Sequence, residues 1–122
     1  MKTLFISIAF VAISATVSAQ AKITFESKTV EYAHVKKGSN GKRTFTFKNT
    51  GDTPLVIKKV SSTSHLLTVK KPNKSIAPGK TGKIKIQYDT QEIGPIRRTI
   101  TVYSNAKNAP VLALKVKGEI IE

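Results

Sequence analysis

Hydrophobic and polar residues alternate along most of the chain beyond residue 20, which is the pattern of half-buried β-strands. The clearest alternation places Ile84, Ile86 and Tyr88 on one face, with lysine and glutamine at the positions between them. Phe45 and Phe47 share a face in the same way. Because no long segment carries the apolar stripe of a helix, the pattern predicts an all-β protein.

Six or seven short strands are predicted, separated by turns rich in glycine, proline and asparagine. They cover residues 23–25, 42–48, 55–62, 66–69, 83–88, 96–103 and 111–121, and residues 30–32 either continue the first strand or begin another. The Lys58-Lys59 pair interrupts the third alternation and indicates a bulge or a solvent-facing edge, with Val60 facing outward. The long final strand is the candidate for an edge at which a partner could add a strand.

The apolar faces of at least five strands must meet, and two stacked sheets give that core its simplest geometry. The predicted fold is therefore all-β, a single immunoglobulin-like antiparallel β-sandwich of about seven strands, with an open barrel as the competing architecture. The absence of tryptophan and cysteine argues against an antibody-type domain.

Two turn motifs carry specific expectations. Asn49 and Gly51 are expected to adopt positive φ, with Asp52 bonding to nearby backbone. Pro78-Gly79 fits a type II turn, whose third position favours glycine.

The N-terminus resembles a secretory signal peptide, with Lys2 before an apolar run at residues 4–15 and small residues Val17 and Ala19 at the cleavage positions. Cleavage is predicted between Ala19 and Gln20, with a second possible cut after Ala21. The prediction is thus a signal peptide at residues 1–19, a β-sandwich domain at residues 20–122, and export to the periplasm or the extracellular space. No transmembrane anchor is expected in the mature chain, and the lack of cysteine excludes disulfides.

A formal net charge of +14 makes the protein attractive to polyanions. The strand alternation predicts seven outward cations as possible polyanion contacts, spread over both sheets: Lys48, Lys58, Lys83, Lys85, Arg97, Lys115 and Lys117. Acidic glycan or lipopolysaccharide fits an exported protein better than nucleic acid does, and Tyr103 alone offers too little exposed aromatic surface for base stacking. The alternative is a charged coat that only keeps the domain soluble.

Several segments resemble the bacterial domain-of-unknown-function family 1573. They are residues 45–57 (FTFKNTGDTPLVI), 76–82 (IAPGKTG), 88–90 (YDT), 100–106 (ITVYSNA) and 116–119 (VKGE). The resemblance implies an exported immunoglobulin-like domain, similar to abnormal-spindle/Hydin-type and major-sperm-protein-type sandwiches that act as docking or scaffolding modules. Family members often carry two cysteines after the third strand, where this chain has residues 61–65 (SSTSH).

Catalytic residues are not predicted. His34 and His65 are the only histidines, and no motif places either beside a nucleophile. An enzymatic interpretation would require one of them to lie in a cleft beside a carboxylate. No clustered metal ligands, phosphate-binding loop or cofactor motif is present. The sequence therefore predicts a non-catalytic protein-interaction or scaffolding module of the bacterial envelope, with polyanion binding as the alternative.

Overall fold

A computed structural model describes residues 19–122, which form an all-β structure of eight strands. The predicted signal peptide lies outside the described residues, apart from Ala19. The strands are β1 (Ile23–Phe25), β2 (Thr29–Lys36), β3 (Lys42–Asn49), β4 (Ile57–Ser62), β5 (Leu67–Lys70), β6 (Thr81–Tyr88), β7 (Gly94–Ser104) and β8 (Val111–Ile121).

The strands form two four-stranded sheets, which confirms the predicted sandwich. Sheet I has the order β1-β3-β6-β5, and sheet II has the order β2-β8-β7-β4. The first apolar segment therefore divides into two strands, one in each sheet. All neighbouring strands are antiparallel except β2 and β8, which are parallel. The sandwich is thus mixed at this one pair, where the sequence predicts only antiparallel pairing.

The core lies between the sheets and consists of the residues that the alternation predicts. Phe45 and Phe47 from β3, together with Ile84 and Ile86 from β6, are buried against sheet II. The ring centroids of Phe25 and Phe47 lie 5.4 Å apart, a separation typical of packed aromatic pairs. The inward residues of β7 and β8 complete the core: Ile96, Ile100, Val102, Leu114, Val116 and Ile120.

The final strand is not an edge strand, and this prediction is wrong. β8 lies between β2 and β7 and pairs with β7 along its whole length, from Val111 opposite Tyr103 to Ile120 opposite Gly94. The 11 residues of β8 provide backbone groups for pairing with both β2 and β7, so β8 lies in the interior of the sheet. The edges are β1 and β5 in sheet I and β2 and β4 in sheet II.

The predicted bulge in the third alternation is confirmed. The register of β4 against β7 shifts between Ile57 and Lys59, and β4 is also an edge strand. Because the extra residue reverses the alternation, Val60 packs against the core instead of facing outward.

One turn motif follows its prediction and the other does not. Gly79 has a φ of 78°, and the Lys80 amide donates to the Ala77 carbonyl at 3.0 Å, as the type II turn requires. Neither Asn49 nor Gly51 has positive φ. Gly51 is needed instead because a Cβ there would collide with the Gln20 carbonyl oxygen.

The Asn49 side chain bonds both within its own turn, where it accepts the Gly51 amide at 3.0 Å, and to a distant loop, whereas Asp52 bonds to distant backbone. The Asn49 side chain is fully buried and donates to the carbonyls of Thr53 (2.7 Å) and Ile76 (2.9 Å). The Asp52 carboxylate accepts a hydrogen bond from the Gln20 amide at 2.6 Å. These contacts join the start of the domain to the β3–β4 and β5–β6 connections.

Candidate functional site

All seven predicted polyanion contacts are exposed, but the structure does not bring them together. Strand register assigns each one to a face of the sandwich. Lys48, Lys83 and Lys85 lie on the outer face of sheet I, Arg97, Lys115 and Lys117 lie on the outer face of sheet II, and Lys58 lies at the bulge of β4.

Sheet I carries lysines along its outer face. We define the lysine face as the five outward lysines of this sheet: Lys42, Lys48, Lys70, Lys83 and Lys85. The sequence-based list lacks Lys42 and Lys70, whose membership depends on the pairing of β3, β6 and β5. Lys70 lies directly opposite Lys85 across the β5–β6 pair. Among the outward residues of the four described strands none is acidic, and Glu26 follows β1 at the margin.

The outer face of sheet II carries both signs of charge. Lys117 Nζ lies 3.4 Å from a carboxylate oxygen of Glu31, and His34 Nδ1 lies 3.5 Å from Glu119. These pairs line a broad open groove of about 850 Å³. Glu31 and Glu119 therefore place negative charge among the cations of this face, whereas the outward residues of the described strands of sheet I include no acid.

The two histidines occupy different surfaces. His34 does lie beside a carboxylate, but the side chains of His34 and Glu119 are 71% and 51% exposed. This contact therefore lies on an open sheet face, without the water exclusion that strengthens catalytic groups. His65 is exposed at the end of the sandwich. Within residues 19–122 no group of three or more histidine, aspartate or glutamate side chains is arranged to hold a metal ion.

A polar groove lies at the end of the sandwich where His65 is found. Three connections build it: β2–β3, β4–β5 and β6–β7. We call it the loop groove, and it has a volume of about 500 Å³. Its lining includes the polar residues Ser39, Asn40, His65, Thr68, Gln87, Asp89, Thr90 and Gln91. Sequence analysis missed it because the loops are far apart along the chain.

Hydrogen bonds hold the walls of the loop groove together. The Gly38 amide donates to the Thr90 carbonyl at 3.1 Å, and the Thr90 hydroxyl donates to the Ser39 carbonyl at 2.6 Å. The Asp89 amide donates to the Leu66 carbonyl at 2.8 Å, which attaches the third loop. The groove is therefore formed in advance of any ligand.

The buried Tyr32 side chain stabilises the loop groove through a hydrogen bond to its lining. Its buried hydroxyl donates to the carbonyl of Gly41, a residue that lines the groove, at 2.6 Å. The Arg43 guanidinium lies 4.5 Å from the centre of the Tyr32 ring. Burial raises the pKa of Tyr32 to about 12, although the nearby Arg43 opposes the shift.

Each edge of the sandwich carries a feature that discourages strand addition. β1 has 3 residues and β5 has 4, so both edges of sheet I are short. In sheet II, β2 is bulged at Ala33, whose φ is 53°, and β4 is bulged at Lys58. Short strands, bulges and lysines are the devices by which sheet edges avoid pairing with other chains.

Solved structures that resemble this chain share its fold. A protein of unknown function from Porphyromonas gingivalis W83 is 24% identical with a TM-score of 0.76, over 88% of this chain and 51% of its own, so this chain spans about half of that protein. The ASH/PapD-like domain 7 of human CEP192 is 14% identical with a TM-score of 0.69, over 98% and 99% of the two chains. WR4, an MSP family member from C. elegans, is 14% identical with a TM-score of 0.52, over 83% and 99%.

These likenesses confirm the predicted similarity to abnormal-spindle-type and major-sperm-protein-type sandwiches. No curated protein matches the chain. Over the part of the chain that the structure describes, no helix is long and apolar enough to cross a membrane. The family model described as protein of unknown function (DUF1573) matches residues 23–120, and the chain therefore belongs to that family.

Proposed function

We propose that this chain is a non-catalytic interaction module, exported to the bacterial envelope, that docks an acidic partner through the lysine face. The signal-like N-terminus supports export. The difference in charge between the two outer faces supports the lysine face as the docking surface. Among the described strands, only those of sheet I present outward lysines without acids between them. Because the edges of both sheets discourage strand addition, a partner is more easily accommodated on a sheet face than at an edge.

The observation that carries the proposal is the pairing of Lys70 with Lys85. Like charges directly opposite each other destabilise a sheet. No acidic side chain lies between these two lysines on the outward surface of β5 and β6. An acidic partner would relieve this repulsion on binding, so the unfavourable pair in the free protein becomes a favourable term in the complex.

The substitution Lys85→Glu tests the proposal, because it should weaken binding without destabilising the fold. The substitution places opposite charges across the β5–β6 pair, so the free energy of unfolding should stay constant or rise by about 0.5 kcal/mol. Binding to heparin-coated beads should weaken, and the protein should elute at lower salt. Lys115→Glu is the matched control, because it makes the same charge change on the outer face of sheet II.

The comparison of the two variants decides the proposal. A larger drop in elution salt for Lys85→Glu than for Lys115→Glu supports docking on the lysine face. Equal drops mean that the net charge acts as a whole, and they would overturn the assignment of a docking face. Purification of the wild-type protein with its bound partner from envelope extracts, repeated with both variants, tests the same assignment in the cell.

A further inference from the structure

We propose that the acidic partner is a polysaccharide whose sugar hydroxyls are bound in the loop groove. This inference rests on the proposed function, because the lysine face supplies the electrostatic attraction. The two surfaces are continuous: Gln87 lines the groove and is paired with Lys42 on one side and Thr68 on the other. A polymer that lies along β6 would therefore contact both.

The side chains of the loop groove suit uncharged hydroxyl groups. Asn40, Gln87 and Gln91 carry amides, which donate and accept hydrogen bonds, and Thr68 carries a hydroxyl. The Asp89 carboxylate adds an acceptor. Neither lysine nor arginine lines the groove in the described part of the chain. The groove side chains can therefore hydrogen-bond to sugar hydroxyls, whereas the neighbouring lysines can bind the acidic groups of the same polymer.

The rigidity of the groove strengthens this assignment. The Asn40 side chain accepts the Lys42 amide at 2.9 Å, and the Asp89 side chain accepts the Gln91 amide at 3.0 Å. These contacts fix two of the lining side chains by their oxygen atoms. A volume of about 500 Å³ falls within the range of small-molecule sites and holds a short run of sugar rings.

Other polyanions fit these surfaces less well. Single-stranded nucleic acid requires exposed rings for stacking, but the Tyr88 ring is buried and Tyr103 lies on sheet II. A membrane-inserting surface requires exposed apolar side chains, and Val56, Ile93, Tyr103 and Val111, the large exposed hydrophobics of residues 19–122, all lie outside the strands of sheet I.

The test compares two polymers of equal carboxylate concentration and similar length. Polygalacturonate carries carboxylates and sugar hydroxyls, whereas polyglutamate carries carboxylates alone. The double variant Thr68→Val/Gln87→Leu removes hydrogen-bonding groups from the groove without changing charge. Thr99→Val/Thr101→Val, on the outer face of sheet II, is the matched control. Thermal unfolding of all variants shows whether each remains folded.

The groove variant should bind polygalacturonate about tenfold more weakly, as expected from the loss of two hydrogen bonds, and should bind polyglutamate unchanged. The control variant should bind both polymers like the wild type. If the groove variant retains its affinity for polygalacturonate while Lys85→Glu weakens both polymers, the polysaccharide assignment fails and lysine-face docking survives. If Lys85→Glu also changes neither polymer, both proposals fail.

Discussion

The Tyr32 hydroxyl donates a hydrogen bond to the Gly41 carbonyl oxygen across 2.6 Å, and this contact joins sheet II to the start of β3 in sheet I. A bulge in β2, with Ala33 at positive φ, turns the Tyr32 side chain into the core. Gly118 makes room for it, because a Cβ at that position would lie 2.7 Å from the Tyr32 Cβ. The bulge, the glycine and the hydrogen bond therefore form one structural unit.

Tyr32→Phe should lower the free energy of unfolding by about 1 kcal/mol, the usual value of one buried hydrogen bond. The loss stays this small because the Gly41 carbonyl also accepts the Tyr88 amide at 3.0 Å. Urea denaturation measures the change, with Tyr103→Phe, on the exposed outer face of sheet II, as the control. Equal stabilities of the two variants would contradict a structural role for the hydroxyl.

The same hydroxyl makes stability fall at alkaline pH. The unfolded state loses the Tyr32 proton near pH 10.0, whereas the folded state keeps it until about pH 12, because burial disfavours the phenolate. This contribution to stability is complete below pH 10 and is lost as the pH rises towards 12, by roughly 2 kcal/mol in total. The informative quantity is the difference in stability between wild type and Tyr32→Phe, because that difference isolates the Tyr32 hydroxyl. The prediction fails if both proteins lose stability equally between pH 10 and pH 12.

Asn49→Asp should destabilise the fold strongly. The amide nitrogen of Asn49 donates to two carbonyl oxygens, and a carboxylate would face both of them with no proton to donate. One carboxylate oxygen could still accept the Gly51 amide, but the other would be a buried negative charge against two carbonyl oxygens, which costs about 3 kcal/mol or more. Asn105→Asp is the control, since Asn105 also donates to a carbonyl, that of Pro54, but in a partly exposed position. The free energy of unfolding of Asn105→Asp should fall by only about 1 kcal/mol. Similar losses for the two variants in urea denaturation would show that the burial of Asn49 is not decisive.

The fold could be predicted from the sequence because local alternation determines which face of a strand is buried. Ile84, Ile86 and Tyr88 are buried as predicted, and Tyr103 is exposed. Alternation does not say which strands pair, so β8 was predicted at an edge. The register shift at Lys58 likewise placed Val60 on the wrong face, since a bulge reverses every later position in its strand.

The candidate site depends on strand order, which explains why the sequence identified its parts but not their arrangement. Outward lysines could be predicted singly, whereas the pairing of Lys70 with Lys85 requires β5 to lie beside β6. The loop groove requires three distant connections to converge at one end of the sandwich. Both properties arise from long-range pairing, which a single sequence pattern does not contain.

Arg98 also escaped prediction, because it is a charged residue on the inner face of β7. It lies between Ile96 and Ile100 in the inward phase, opposite the buried Val116. Its Nε atom is buried and has no hydrogen-bond partner among the described residues. A buried polar atom without a partner reduces stability, although the aliphatic stem of the arginine still packs against its neighbours.

Arg98→Met should therefore stabilise the protein by about 1 kcal/mol, because methionine keeps the length of the stem and removes the unpaired donor. Arg97→Met is the matched control: it removes the same charge from the neighbouring position on the exposed outer face and should change stability by less than about 0.5 kcal/mol. The midpoint of urea denaturation measures both variants. A loss of stability in Arg98→Met would show that the arginine stabilises the fold despite its unpaired Nε atom. An equal gain in Arg97→Met would show that relief of net charge matters more than that atom.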